Sequence, residues 1–202
     1  MSLQRDSLRR ALRATRRALP AAQRIAGAER LATQLASLPF APISGFVAGY
    51  WAMDGEIALH AWQLRLPATC IYCLPVLHED GRLRFAPWRP GAPLLSNRHG
   101  IPEPDVAAGA LLPAESMTFV VAPLVAFDAS GHRLGMGGGW YDRTFAFRRE
   151  RPAPPRLVGA AFSVQQVDSV EPQPWDMPLD ALCSERDTDL FDTSLIQPVP
   201  AT

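Results

Sequence analysis

The sequence has no lysine: all twenty of its basic residues are arginine. A lysine Schiff base is therefore excluded, and so is a phosphate-binding P-loop of the usual kind, whose lysine reaches the terminal phosphates. A GC-rich genome favouring arginine codons would account for the absence, but anion chemistry here must rest on arginine and backbone N–H groups. Cysteine is also scarce. Three is an odd number, and Cys70 and Cys73 lie three apart in the apolar stretch Thr69-Cys-Ile-Tyr-Cys-Leu-Pro, where a strand would point them to opposite faces. With Cys183 distant and no second pair, no redox or metal role is expected of them. No apolar run reaches the roughly 18 residues needed to cross a bilayer. The leucines after the first arginines are spaced among polar residues, so no export signal is read and a cytoplasmic location is expected.

What is present is an ordinary globular composition, 48% hydrophobic and 20% charged. At 202 residues, one domain over 1–196 is expected, with 197–202 a frayed tail. The net charge is zero but segregated: the first thirty residues hold eight arginines against Asp6 and Glu29, whereas residues 168–192 hold eight acids and one arginine. The two ends could attract each other or face ligand charges of opposite sign. A single short basic stripe without interleaved aromatics, at a pI near 6.9, argues against nucleic acid. An anionic small molecule fits better.

Leu8, Leu12, Thr15 and Leu19 recur at helical spacing up to Pro20, and a second helix carries Ile25, Ala28, Leu31, Leu35 and Leu38. Arg5, Arg9, Arg13 and Arg17 fall four apart on another ridge of the first helix, with Arg13 and Arg17 read as a solvated face. Past Pro42, short apolar runs at 43–51, 70–77, 83–88, 119–127 and 157–162 predict strands, with helices expected over 56–65 and 141–151. This alternation predicts an α/β layered fold: an N-terminal helical pair, then a mainly parallel central sheet flanked by helices. The proline-rich stretch 89–115 is expected to be a long loop of the kind that carries function.

The most informative segment follows the fourth apolar run: Asp128-Ala-Ser-Gly-His-Arg-Leu-Gly-Met-Gly-Gly-Gly-Trp-Tyr-Asp-Arg. Gly135, Gly137, Gly138 and Gly139 permit positive φ and close approach of backbone to a ligand. Successive N–H groups where such a loop opens a helix can hold phosphate without lysine. A tight turn is the plainer alternative. The dinucleotide fingerprint does not fit, because residues 128–134 separate the strand from the glycines.

The run Pro123-Leu-Val-Ala-Phe-Asp, then Gly131-His-Arg-Leu-Gly-Met-Gly-Gly-Gly-Trp-Tyr-Asp-Arg, resembles the signature of the 5-formyltetrahydrofolate cyclo-ligase family. Further agreement lies at Leu8-Arg9, Asp54-Gly-Glu-Ile, Gly100-Ile-Pro-Glu-Pro, Gly159-Ala-Ala-Phe-Ser-Val-Gln and Trp175-Asp-Met-Pro-Leu-Asp, in the family's order along nearly the whole chain. The resemblance implies that Arg5 and Arg9 contact ATP, with Arg5 standing where lysine is usual. It implies that Arg133, Leu134, Gly135, Met136, Gly137, Gly138, Gly139, Trp140 and Tyr141 form the ATP loop, with Trp140 in place of the commoner tyrosine. Asp142 and Asp176 would bind Mg2+, and Trp51 and Glu56 would contact the folate. Arg133, Tyr141 and Glu56 are the residues to which catalysis would be assigned. Without the resemblance, Glu56 would pass as an acid at a helix N-terminus and Asp176 as a turn residue.

The reaction so implied takes 5-formyltetrahydrofolate and ATP, with Mg2+, to 5,10-methenyltetrahydrofolate, ADP and phosphate. The N5 formyl group is an amide and a poor electrophile, so its oxygen would first accept the γ-phosphoryl group, after which N10 closes the ring. Such transfer needs alignment and charge stabilisation more than covalent help. A sugar-phosphate isomerase with Glu56 as base, and a catalytically silent nucleotide-binding regulator, are the alternatives. A monomer is expected, with a homodimer as the other possibility.

Overall fold

A computed structural model describes residues 3–191 of the chain. Two helices open it, α1 (Leu3–Arg17) and α2 (Ala21–Ala36), separated at Pro20, which has no N–H to continue the first. Helix α2 buries Ala28, Leu31, Ala32 and Leu35 along one stripe, whereas Ile25, expected on that stripe, is exposed.

The strands follow as β1 (Gly45–Ala48), β2 (Cys70–Leu77), β3 (Leu83–Pro87), β4 (Leu94–Ser96), β5 (Pro102–Pro104), β6 (Met117–Pro123), β7 (Ala126–Phe127), β8 (Arg133–Leu134), β9 (Arg156–Ala160), β10 (Ala181–Cys183) and β11 (Thr188–Leu190). Seven form the main sheet in the order β11-β10-β9-β6-β1-β2-β3. The five inner strands run parallel, and β3 and β11 add antiparallel edges. The mainly parallel sheet expected from the alternation of elements is therefore present. Parallel strands buried on both faces read as continuous apolar runs. In β6, Phe119 and Val121 face the cluster made with α2 and Trp62, while Val120 and Ala122 face the one containing Phe85, Phe145 and Met177. Cys70 and Cys73 likewise separate to the two faces.

Both predicted internal helices are shorter than expected. The first is α3 (His60–Gln63) and the second α4 (Trp140–Thr144), which continues as a 3-10 turn over Ala146–Arg149. Residues 54–57 have other commitments: Asp54 and Gly55 take positive φ (53° and 77°), and the Ile57 carbonyl accepts the Tyr50 hydroxyl at 2.7 Å. At the second helix the buried Thr144 accepts the Leu83 N–H at 2.7 Å, and Arg148 turns inward to Asp180. The run 119–127 is two strands, not one. Beyond Pro123 the Leu124 carbonyl leaves the sheet to accept Arg16 and Gln165, and β7 pairs with β8 instead. The stretch 89–115 contains the β4–β5 hairpin.

In the sheet order, β1 connects to β2 on one side, while β6 lies on its other side. This reversal leaves a crevice beyond the carboxyl ends of β1 and β6, the place where open α/β sheets bind ligands. Helix α1 packs across it against β7 and the turn Ser163–Gln165, with Leu8 and Leu12 on Ala126, Leu134 and Val170. Among the described residues no helix is long and apolar enough to cross a membrane.

Candidate active site

The glycine loop is delivered by a small, tightly held hairpin. Asp128 is buried and accepts the N–H groups of Ser130, His132 and Val170 at 2.8–3.1 Å. Burial alone would raise its carboxyl, but these bonds and His132 hold it below the usual range. The hairpin ends in Arg133 and Leu134, after which the loop begins. Positive φ occurs at Gly137 (97°) and Gly139 (63°) only; Gly135 and Gly138 do not need it. A Cβ on Gly138 would instead meet the Trp140 ring at 2.8 Å. The Trp140 ring in turn is met by the guanidinium groups of Arg98 and Arg143, at 5.6 and 5.3 Å from its centroid.

Helix α1 closes one side. Arg9 donates Nε to the Gly135 carbonyl at 2.9 Å and Nη1 to Asp6 at 2.6 Å, while Arg5 reaches the Glu171 carbonyl at 3.4 Å and Asp176 at 3.8 Å. The buried Nε of Arg5 has no partner among the described residues. The basic and acidic ends of the sequence thus meet here. Further along α1, Arg13, Arg16 and Arg17 all bind Asp54, so Arg13 is not on the free solvated face expected of it. Burial would raise the Asp54 carboxyl, but Arg13 first and Arg16 next hold it below its ordinary value.

Arg133 is buried and donates to the Met177 carbonyl and to Asp142. Met177 returns its N–H to Asp142 Oδ1 at 3.1 Å, which sets Asp142 beside the residue preceding Met177, Asp176. Asp176 also accepts the Gln173 N–H at 2.9 Å, so its turn-forming role is present together with its place at the crevice. Glu56 stands in a loop, not at a helix N-terminus, and accepts the Met53 N–H at 2.9 Å. Burial raises its carboxyl, with Met53 and Arg16 opposing. Trp51 packs edge-on to Trp88 at 5.7 Å. The Tyr141 hydroxyl is buried without a partner among the described residues, and burial pushes it well above the ordinary phenol value.

One cavity of about 660 Å3 brings these groups together. Every residue that the resemblance assigned to the site borders it except Leu134, whose side chain is buried beneath α1. Asn97, Ile101 and Glu103 were not among the expected site residues, although they lie in the stretch 89–115 read as a functional loop and Ile101 and Glu103 lie in the matching run Gly100-Ile-Pro-Glu-Pro. The β4–β5 hairpin brings them to the cavity wall, with Glu103 fixed by the Leu77 N–H and Asn97 at 2.8 Å each. Arg16 was also missed, although it falls four residues after Leu12 on the buried stripe, where Thr15 was expected and is exposed. A charged residue at that spacing was the available signal.

The donor set suits a magnesium ion shared with a nucleotide. Mg2+ is commonly held by one or two carboxylates with phosphate and water completing six positions. Among the described residues no group of three or more acidic, His or Cys side chains is placed to hold a metal ion by itself. Asp142 and Asp176 both line the cavity, and among the described residues their hydrogen bonds use only Oδ1 of the first and Oδ2 of the second.

A family model described as the 5-formyltetrahydrofolate cyclo-ligase family matches residues 1–185. A 5-formyltetrahydrofolate cyclo-ligase of Escherichia coli (strain K12) is 36% identical over 175 residues, covering 85% of this chain and 94% of the relative. Its counterpart in Haemophilus influenzae is 39% identical over 137 residues, covering 66% of this chain and 72% of the relative. The solution structure of a 5,10-methenyltetrahydrofolate synthetase from Aquifex aeolicus superposes with a TM-score of 0.78 at 26% identity, covering 98% of this chain and 97% of that one.

Proposed function

The chain belongs to the 5-formyltetrahydrofolate cyclo-ligase family, and on that premise we propose that it converts 5-formyltetrahydrofolate and ATP into 5,10-methenyltetrahydrofolate, ADP and phosphate in the cytoplasm. The observation that carries this is the single cavity in which a glycine loop, four arginines (Arg5, Arg9, Arg16 and Arg133) and six carboxylates, among them Glu56, Asp142 and Asp176, converge.

ATP lies along the loop from Gly135 to Tyr141. Five residues make α4 too short to act as an anion site by its dipole, so the loop's own N–H groups and the guanidinium groups of Arg5, Arg9 and Arg133 receive the phosphates. Asp142 and Asp176 would hold Mg2+, which would supply charge to neutralise the phosphate oxygens. Trp51 and Glu56, across the cavity, contact the folate.

The formyl oxygen attacks the γ-phosphorus and ADP leaves. N10 then attacks the activated carbon and loses its proton, and phosphate departs as the ring closes. Arg133 is suited to this because Met177 and Asp142 lock its guanidinium in place, so little reorganisation accompanies charge development. The unpartnered hydroxyl of Tyr141 stays neutral at working pH and is available as a hydrogen-bond donor to the formyl or phosphoryl oxygen. Incubation with 5-formyltetrahydrofolate, ATP and Mg2+, followed by near-ultraviolet absorbance of the methenyl product, tests the proposal. ATP-dependent product formation supports it; folate and ATP binding without turnover would favour the silent regulator.

A further inference from the structure

Arginine is almost never fully buried unless paired, yet Arg16 is 0% exposed. Its donors are divided between two chain segments, the loop at Asp54 and the end of β6 at Leu124. Nε donates to the Asp54 carbonyl at 2.9 Å, Nη2 to Asp54 Oδ2 at 3.0 Å, and Nη1 to the Leu124 carbonyl at 3.2 Å. Nη2 also stands 3.6 Å from Glu56 Oε1, while the other oxygen of that carboxylate is held by the Met53 N–H. Arg16 thus ties α1 to the ends of β1 and β6, the two strands that flank the crevice, and gives Glu56 its nearest cation. Arg13, which shares Asp54, is half-exposed and is not paired with Glu56.

We propose that Arg16 is a positioning residue for Glu56, fixing the direction of its carboxylate in the cavity and supplying its counter-charge. The inference rests on Glu56 being a folate contact. Glu56 is otherwise poorly placed to stay ionised. Burial raises its carboxyl and the Asp54 charge adds to this, while the Met53 N–H, Arg16 and, more weakly, Arg13 oppose. Tyr50 and Tyr141, also close, are themselves raised by burial and remain neutral. Removing the Arg16 charge therefore moves Glu56 protonation to higher pH, and the acid limb of folate kcat/KM should move with it. A residue that only held the fold would change thermal stability and both substrates' KM values while leaving that limb where it was.

The test uses Arg16→Gln and Arg16→Lys, each alone and combined with Glu56→Gln, with rates measured across pH against 5-formyltetrahydrofolate and ATP in turn. Arg16→Gln is expected to lower folate kcat/KM about tenfold, the scale of one charge-assisted hydrogen bond, and to shift its acid limb upward, with ATP KM changing less than about twofold. Arg16→Lys, which keeps the charge but cannot make all the bonds to Asp54 and Leu124, should recover the limb and only part of the rate. In the Glu56→Gln background both changes should lose most of their effect on folate. Additive losses in that cycle, or an unmoved acid limb in Arg16→Gln, would overturn the inference. Should Arg16→Gln not fold, the Arg16→Lys cycle decides alone, additivity again counting against it. If Glu56→Gln itself leaves folate KM and the acid limb unchanged, the folate assignment of Glu56 fails first and this inference falls with it.

Discussion

Replacing Arg9 with alanine separates a nucleotide contact from a merely helical role. The side chain is only 12% exposed and makes two bonds, to the Gly135 carbonyl at 2.9 Å and to Asp6 at 2.6 Å. The Asp6 pair is an i,i+3 contact with a partner 39% exposed, worth about 0.2–1 kcal/mol. The bond to Gly135 is charge-assisted and better shielded, in the class worth about 1.5–3 kcal/mol. Alanine is a good helix former, so α1 itself should not suffer. If the Gly135 bond is expressed in the nucleotide site, ATP KM rises between about tenfold and 150-fold, since each 1.4 kcal/mol is a factor of ten. Folate KM should change less than about threefold, because no Arg9 bond reaches the Trp51–Glu56 loop. Initial rates of methenyl formation, with ATP varied at saturating folate and then the reverse, give both values. Equal rises in the two KM values, accompanied by a large fall in Tm, would refute the assignment and leave Arg9 as a residue of the helix alone.

The loop glycines should differ from one another. Gly137→Ala, at φ 97°, is expected to raise ATP KM more than Gly135→Ala, which introduces a Cβ into open space at ordinary φ; ATP titrations of both purified variants rank them, and equal effects would remove backbone strain as the cause. Asp142→Asn should depress turnover at ordinary Mg2+ with partial recovery at high Mg2+, read from rates against metal concentration, and a rate independent of the change would take Asp142 out of the metal site. Asp54→Asn should cost about 3 kcal/mol at pH 7, because it strips the fully buried Arg16 of its closest carboxylate. The Asp54 carboxyl is lowered in the folded protein, so its contribution is present above the unfolded value near pH 4 and lost as pH falls through the folded one. Denaturant unfolding of both proteins should therefore show a gap at pH 7 that narrows below about pH 4, and a gap of constant size would show that the ionised carboxylate is not its source.

Much of this protein was legible in one dimension because its signals are local. The helical spacing up to Pro20, the doubly buried apolar runs and the glycine-rich stretch depend on neighbours within a few residues, and the resemblance gathered the site residues in order. The elements that came out shorter are those whose ends are set by partners outside the element: Thr144 is caught by the Leu83 N–H, 61 residues away, and Ile57 by the Tyr50 hydroxyl. The glycine loop was recognisable from composition, but which glycines need positive φ was not, because that depends on how the hairpin at Asp128 aims the chain. Arg16 shows the same division. Its spacing after Leu8 and Leu12 determined that it would face inward. That it would meet Asp54, Glu56 and the Leu124 carbonyl was decided only when the sheet placed the ends of β1 and β6 side by side, bringing residues up to 108 positions apart within hydrogen-bond reach of one guanidinium.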